Sequence, residues 1–189
     1  MRKIVVHEFI TLDGVIQAPG GSVEDVDEGF PFGGWTIPYW HDDIGAHFGQ
    51  AFMEADTLLL GRKTWQIHAG AFGPNPDQDP FAGMKKFVVS NTLRTTEAWA
   101  ETSLISGNVM DEIRKLKNQS GKNIIMDGSS VLLHGLIEMD LVDEYMLHVY
   151  PLVLGMGKRL FPDGKRVNLA LIESSALPTG VVYQRYKPA

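Results

Sequence analysis

Short apolar runs alternate along the chain with amphipathic stretches, and the two periods predict an alternation of strands and helices. Lys3–Ile10 is rich in β-branched and apolar residues and predicts a buried strand. Thr57–Gly61 (TLLLG), Lys86–Val89, Thr102–Ile105 and Asn123–Met126 (NIIM) are shorter runs of the same kind. Runs this short and this apolar suit strands covered on both faces. Leu141–Tyr150 predicts a longer strand with alternating apolar residues. Val167–Ser174 and Val181–Tyr186 flank Pro178-Thr179-Gly180 and predict an antiparallel pair.

The helical stretches lie between these runs. In Asp42–Ala55, Ile44, Phe48, Ala51, Phe52 and Ala55 share one face, and Asp42 or Asp43 can cap the start. Arg62-Lys63-Thr64-Trp65 opens a helix directly after Gly61, and Ala69–Gly83 reads as a loop dense in proline, glycine and aspartate. Asn108–Gln119 is capped by Ser106 or Asn108, acidic early at Asp111 and Glu112, basic late at Arg114, Lys115 and Lys117, and stopped by Gly121. Asp127-Gly128-Ser129-Ser130 is a tight turn that leads at once into a helix over Val131–Glu138. Strands alternating with helices as far as Asp140 predict a mostly parallel sheet covered on both faces, with the last two strands as an antiparallel edge. No repeat, low-complexity tract or linker interrupts the 189 residues, so a single domain over 1–189 is expected.

Composition narrows the function. Hydrophobic residues make up 44% and charged residues 21%, enough for a packed core. A net charge of −6 argues against a nucleic-acid partner, which calls for a basic footprint. With no cysteine, disulfides, thiolate nucleophiles and thiolate metal sites are excluded. His7, His41, His47, His68, His134 and His148 show neither HxxxH nor HExxH spacing, and no metal is expected. The start, MRKIVVHEF, reads as a strand rather than a signal peptide. No run approaches the ~18 apolar residues of a membrane span. The expectation is a cytoplasmic protein with no membrane partner.

Two features need more than a scaffold. Ala18–Pro38 is a long loop carrying Glu24, Asp25, Asp27 and Glu28 and many aromatics. Phe30, Phe32, Trp35, Tyr39 and Trp40 either wall a pocket for a flat ligand or cover the core from one side. The second feature is a rim. Ligands of open α/β sheets bind beyond the carboxyl ends of the strands. Gly61-Arg62-Lys63-Thr64, Ser90-Asn91-Thr92 and Asp127-Gly128-Ser129-Ser130 all fall on that rim. Asp127–Ser130 is either a phosphate cradle, with free N–H groups at a helix start beside a glycine that lets a ligand come close, or an ordinary strand–turn–helix joint capped by Ser129 or Ser130. Arg62 and Ser90, at neighbouring strand ends, suit a 2′-phosphate; Lys63 serves either the phosphates or the solvated surface. No Ser-His-Asp set or GxSxG elbow is readable.

These motifs, taken in order, resemble the dihydrofolate reductase fold. They resemble more closely the reductase domain of the bifunctional riboflavin-biosynthesis deaminase/reductase and its stand-alone relatives. Thr11-Leu12-Asp13-Gly14 resembles that branch's Ser-Leu-Asp-Gly turn. Tyr150-Pro151 and Gly155-Met156-Gly157-Lys158, followed by Leu160-Phe161, resemble its late glycine-rich loop. The resemblance covers nearly the whole chain, without the deaminase half. It implies a three-layer α/β/α sandwich built on an eight-stranded, mostly parallel sheet with an antiparallel C-terminal edge.

The cofactor it implies is NADPH. Gly61, Arg62, Lys63 and Thr64 would meet the adenosine side and phosphates, and Ser90 and Asn91 would lie by the 2′-phosphate. Asp127, Gly128, Ser129 and Ser130 would cradle the pyrophosphate. Leu12 and Gly14 would lie near nicotinamide and substrate, with Asp13 either as the catalytic residue that holds substrate or relays a proton, or as a turn aspartate that hydrogen-bonds its own backbone. The implied reaction is hydride transfer to a small heterocyclic or sugar-phosphate substrate, of the 5-amino-6-(5-phosphoribosylamino)uracil reductase type. Lys158 and Arg159 are candidates for a ribose phosphate, or simply an exposed charged loop.

In dihydrofolate reductases proper a carboxylate on the first helix grips the pterin; that place falls near Gly45, with Asp42 and Asp43 one turn earlier. Folate reduction is therefore the lesser reading, beside a non-catalytic nucleotide-binding module of the same fold. A homodimer is also expected, because relatives of this branch pair and because Leu141–Tyr150 is long and apolar, unless that strand is covered within one subunit.

Overall fold

The computed structural model describes residues 1–189. Its elements are β1 (Ile4–Thr11), α1 (Asp42–Met53), β2 (Ala55–Gly61), α2 (Arg62–Phe72), β3 (Lys85–Val89), β4 (Thr102–Ile105), α3 (Val109–Asn118), β5 (Asn123–Met126), α4 (Ser130–Glu138), β6 (Glu144–Tyr150), β7 (Leu169–Ala176) and β8 (Val182–Pro188). The strands form one eight-stranded sheet in the order β4-β3-β2-β5-β1-β6-β8-β7. Every pair from β4 to β6 is parallel, and β8 runs antiparallel to both β6 and β7. The strand alternation of β1 feeds two cores: Val5 joins the α1 and α2 side with Ile44, Leu58 and Trp65, while Ile4, Val6 and Ile10 join the α3 and α4 side with Ile113, Leu133 and Leu136. This is the expected three-layer sandwich.

Three boundaries differ from expectation. Helix α2 continues to Phe72, because Trp65 and Ala69 keep its inner face buried and Phe72 packs against Phe81 and Trp99. Pro74, two residues on, then rules out further helix. Strand β6 begins only at Glu144, whose carboxylate joins Lys3 and Arg185; the buried Leu141 and Val142 belong to the connection from α4. Strand β7 sits two residues later than Val167–Ser174 and slips register between Leu171 and Glu173. Because β6 lies between β1 and β8, its apolar character is satisfied within one chain. Leu171 and Ile172 are exposed on the edge strand β7, and Leu104 on the opposite edge strand β4.

The feature that positions a site is the shortness of β5. It ends at Met126, opposite Val6 of β1 and Leu59 of β2. Its neighbours run on, β1 to Thr11 and β2 to Gly61. A gap therefore opens between β1 and β2 at the carboxyl end of the sheet, where ligands of such sheets bind.

Beside β1, on the α1 side, lie two buried histidines, His7 and His148. His148 Nε2 is 3.1 Å from His47 Nδ1, and the His7 ring packs edge-on against Phe48. Burial pushes His7 down to about 4 and His148 down to about 2, so both fold neutral. The unfolded chain charges them below the ordinary value of 6.5. Stability is thus full above 6.5 and is lost as pH falls below it, by at most about 1.4 kcal/mol per pH unit for each histidine. Denaturant unfolding between pH 6.5 and 5 is expected to show this slope, and His148→Gln to lower it by about one proton; an unchanged slope would contradict the neutral buried pair.

Candidate functional site

The turn Asp127–Ser130 closes the floor of the gap. Gly128 has φ +57°, and a Cβ there would stand 3.0 Å from Thr64 Cγ2 and Oγ1. Ser129, also left-handed at φ 63°, clasps the neighbouring strand end. Its Oγ accepts from the Gly61 N–H (2.8 Å) and donates to Thr64 Oγ1 (3.0 Å), and its own N–H donates to Thr64 Oγ1 (3.0 Å). The starts of α2 and α4 are thereby fixed side by side. Neither helix has a side-chain cap, so the first-turn amides of both stay open.

A cavity of about 560 Å³ lies against these two helix starts, lined by Gly61–Thr64, Ser129–Leu132, Val89, Val109 and Met110, with Asp25, Asp27 and Lys158 on its far side. Two uncapped N-termini with nearby cations fit the phosphates of a dinucleotide. The cations are not free, however. Lys63 pairs with Asp25 (2.9 Å) and Asp27, and Lys158 with the same two carboxylates (2.6 and 2.7 Å). Lys158 and Lys63 hold the exposed Asp27 down to about 2. Burial pushes Asp25 up, but hydrogen bonds from Lys158 and Lys63 outweigh it and the net shift is downward. The acidic part of the long loop is thus latched across the cradle. Arg62 lines the same cavity, and its Nη1 donates to Gln66 Oε1 (2.8 Å).

A second cavity of about 370 Å³ continues from the turn Asp127–Ser130 toward α1 and α2. Its walls are aromatic: Phe9, Phe48, Phe52, Phe72 and Phe81, with Trp40 at the rim. Of the five loop aromatics, only Trp40 reaches it. Phe30 and Trp35 are buried in the core, Trp35 Nε1 donating to the Gln17 carbonyl (2.8 Å), and Tyr39 packs on Tyr150. Gly45 of α1 lines the cleft without a side chain, while Asp42 and Asp43 do not line it. The helix start is capped by His41, whose Nδ1 accepts from the Asp43 N–H, rather than by either aspartate.

Among the charged groups of this cleft the acids, Glu8, Glu24, Asp25 and Asp127, outnumber the bases. Glu8 of β1 is 3% exposed, and its Oε1 has no hydrogen-bond partner. Burial pushes its carboxyl well above the ordinary value; the Asp127 and Glu24 charges push the same way, and the Gly128 backbone N–H offsets part of this. Glu24 accepts from the Gly20 and Gly21 N–H groups (2.6 and 2.9 Å) and is also raised, chiefly by burial. Asp127 Oδ2 meets His68 Nε2 of α2 at 2.9 Å.

Several expected site residues stand elsewhere. Asp13 Oδ1 accepts from Thr11 Oγ1 (2.6 Å) and the Leu154 N–H (3.2 Å), and Oδ2 accepts from the Gly155 N–H (2.8 Å). Burial raises its carboxyl, but these bonds together outweigh it and the net shift is down. Asp13 thereby clasps the β1 turn to the late loop. Leu12 is exposed and Gly14, at φ +83°, serves the turn; neither lines either cavity, nor does Asp13. Ser90 Oγ accepts from the Thr92 and Leu93 N–H groups, and Asn91 Oδ1 from the Gly107 N–H. Both lie outside the two cavities, although the pairing of Gly61 with Val89 puts Ser90 beside Arg62. Lys158 lines both cavities; Arg159 lines neither.

Glu8, Glu24, His68, Phe72 and Phe81 went unpredicted as cleft residues. An acid inside an otherwise apolar central strand was the visible sign of Glu8. His68 stands four residues after Thr64, on the same face of α2, a relation hidden by ending that helix too early.

The mostly parallel eight-stranded sheet, with helices on both faces and two uncapped helix starts side by side at its carboxyl rim, defines a three-layer α/β/α domain. The chain belongs to the RibD C-terminal domain family, which matches residues 2–183. It is 33% identical to the uncharacterized protein YyaP of Bacillus subtilis over 189 residues, covering 96% of this chain and 92% of YyaP. With the uncharacterized B. subtilis protein YwjB it shares 28% over 162 residues, 86% of this chain and 84% of YwjB. Among solved structures it is similar to a Shewanella sp. PV-4 protein provisionally assigned to riboflavin biosynthesis (TM-score 0.78, 22% identity, covering 100% and 99% of the two chains). It is also similar to a pyrimidine reductase-like protein of Corynebacterium diphtheriae (0.67, 14%, covering 100% and 92%). Dihydrofolate reductase of Enterococcus faecalis, solved with NADP(H), shares the fold at 0.63 with 15% identity, covering 98% and 96%.

Two outcomes test the site. A carboxyl held protonated in the fold ionises in the unfolded chain above its ordinary value of 4.5, so Glu8 lowers stability increasingly as pH rises beyond that. Glu8→Gln is expected to melt higher than the native chain at pH 8, with the gap shrinking toward pH 5; a lower melting point at pH 8 would contradict the buried neutral acid. Asp25→Asn with Asp27→Asn is expected to free Lys63 and Lys158 and tighten inorganic pyrophosphate binding severalfold in calorimetric titration. Unchanged binding would mean that the latch does not cover an anion site.

Proposed function

We propose that the protein is an NADPH-dependent reductase of the riboflavin-biosynthesis reductase type. The observation that carries this reading is that the two cavities share a wall, Thr64, Ile67, Ser129 and Ser130 with Asp25 and Lys158: an anion cradle at two open helix starts adjoins an aromatic slot. Bound there, the reduced nicotinamide supplies a hydride. The amides of Arg62–Thr64 and Ser130–Leu132 bind the phosphates, with Lys63 and Lys158 exchanging their carboxylate partners for the ligand. Arg62 is the group for a 2′-phosphate. The phenylalanine walls orient a flat substrate and exclude water from it. The names of the similar structures support a pyrimidine-type substrate.

The alternative is a nucleotide-binding module without turnover. The occupation of Asp13 in a loop clasp and the bare Gly45 favour it. A screen for NADPH oxidation across pyrimidine ribosylamine phosphates and dihydrofolate separates the readings: turnover supports the reductase, binding without turnover the module. Arg62→Ala is expected to weaken NADPH by about tenfold, ~1.4 kcal/mol, and NADH hardly at all. Equal losses for both would remove Arg62 from the 2′-phosphate.

A further inference from the structure

We propose that the inner end of the aromatic cleft is a site for a flat nitrogen cation, and that Glu8 is its counter-ion. The proposal rests on the reductase reading only for one of its two ligand sources. The geometry behind it is a buried carboxyl oxygen, Glu8 Oε1, left without a hydrogen-bond partner. Buried polar atoms in folded proteins are nearly always paired, and one left open in a ligand-sized cleft marks a place for a partner. Glu8 is buried, lines the cleft and leaves Oε1 open. The groups facing it do not supply a cation. Glu24 comes from the long loop and Asp127 from the turn after β5. Lys158 reaches the cleft from the late loop, but its Nζ is held by Asp25 and Asp27. His68 of α2 is taken by Asp127.

The walls point the same way. Phe48, Phe52, Phe72 and Phe81 surround the slot, and aromatic faces attract cations, more so away from water. A phosphate or carboxylate in this space would meet four carboxyl groups, Glu8, Glu24, Asp25 and Asp127, and one cation, Lys158, that is already paired. A positive ring would meet aromatic faces and a carboxylate. Glu8 keeps its proton while the cleft is empty, because burial and its two acidic neighbours oppose a charge there. When a permanent cation enters, the proton leaves for solvent and a neutral ion pair remains. When a neutral base enters, the proton moves from the carboxyl oxygen to the ring nitrogen.

Two sources carry this chemistry: the pyridinium ring of an oxidised nicotinamide dinucleotide, and a free protonatable heterocycle. NADP+ and NADPH share their phosphates, so any difference between their pH dependences belongs to the ring. The experiment titrates the native protein and Glu8→Gln with NADP+, NADPH and 2-aminopyridine (the last with and without NADPH) from pH 6 to 9, by calorimetry. Proton release on binding makes the NADP+ affinity rise with pH relative to NADPH, by at most about tenfold per pH unit, and Glu8→Gln abolishes the rise. That result assigns the cation to the cofactor ring. Parallel dinucleotide curves, with 2-aminopyridine binding that falls tenfold or more in Glu8→Gln, assign it to a free heterocycle.

Parallel dinucleotide curves with 2-aminopyridine absent or indifferent to Glu8→Gln overturn the proposal and leave the reductase reading standing. If neither dinucleotide binds, the reductase reading fails, and the 2-aminopyridine arm alone decides the role of Glu8. Should Glu8→Gln not fold, Asp127→Asn serves as the second variant. By removing a charge that opposes ionisation of Glu8, it should make the native NADP+ dependence level off at lower pH; an unmoved curve would count against Glu8.

Discussion

The site depends on one clasp. Strand β5 stops at Met126, and the chain turns through two left-handed residues, Gly128 and Ser129, into α4. Ser129 then bonds Gly61 and Thr64, tying the start of α4 to the start of α2. Without that tie the gap between β1 and β2 would be a sheet defect with unpaired strand edges. With it, two helix N-termini are held side by side at the mouth of a cleft. The hydroxyls of Ser129 and Thr64 are occupied in building the cradle, which leaves ligand binding to the backbone amides and to the charges around them.

Those charges are unevenly placed. At the cradle, Lys63 and Lys158 are matched by Asp25 and Asp27, so the outer cavity is poised for exchange of one anion for another. In the inner cleft the acids Glu8, Glu24, Asp25 and Asp127 outnumber His68 and Lys158. The net charge of the chain foretells neither arrangement. Both come from where the long loop folds back, with Glu24 anchored on the Gly20 and Gly21 amides and Lys158 brought across from the late loop.

The sheet was legible because its strands are apolar runs of the right length, and α3 because its charges follow the helix dipole. The rim motifs at Gly61–Thr64 and Asp127–Ser130 were legible because turns and helix starts carry local signatures, and the structure brings those two together. Long-range side-chain contacts were not legible. Asp13 looks like a site residue in the sequence, yet two backbone amides across the chain, at Leu154 and Gly155, occupy it. Ser90 is turned onto its own following residues. Glu8 was marked only as an acid in an apolar strand; that its Oε1 stays without a partner depends on which groups the rest of the chain brings around it. The loop aromatics divided the same way, Phe30 and Trp35 going to the core and Trp40 to the rim, because the fold-back of the loop decides which faces inward.

The most direct test of the account is amide hydrogen exchange with and without saturating NADPH. The account predicts that NADPH binds and slows exchange at Arg62–Thr64 and Ser130–Leu132 together, the two helix starts that the Ser129 clasp holds side by side. Binding with protection elsewhere, or no binding, would contradict it.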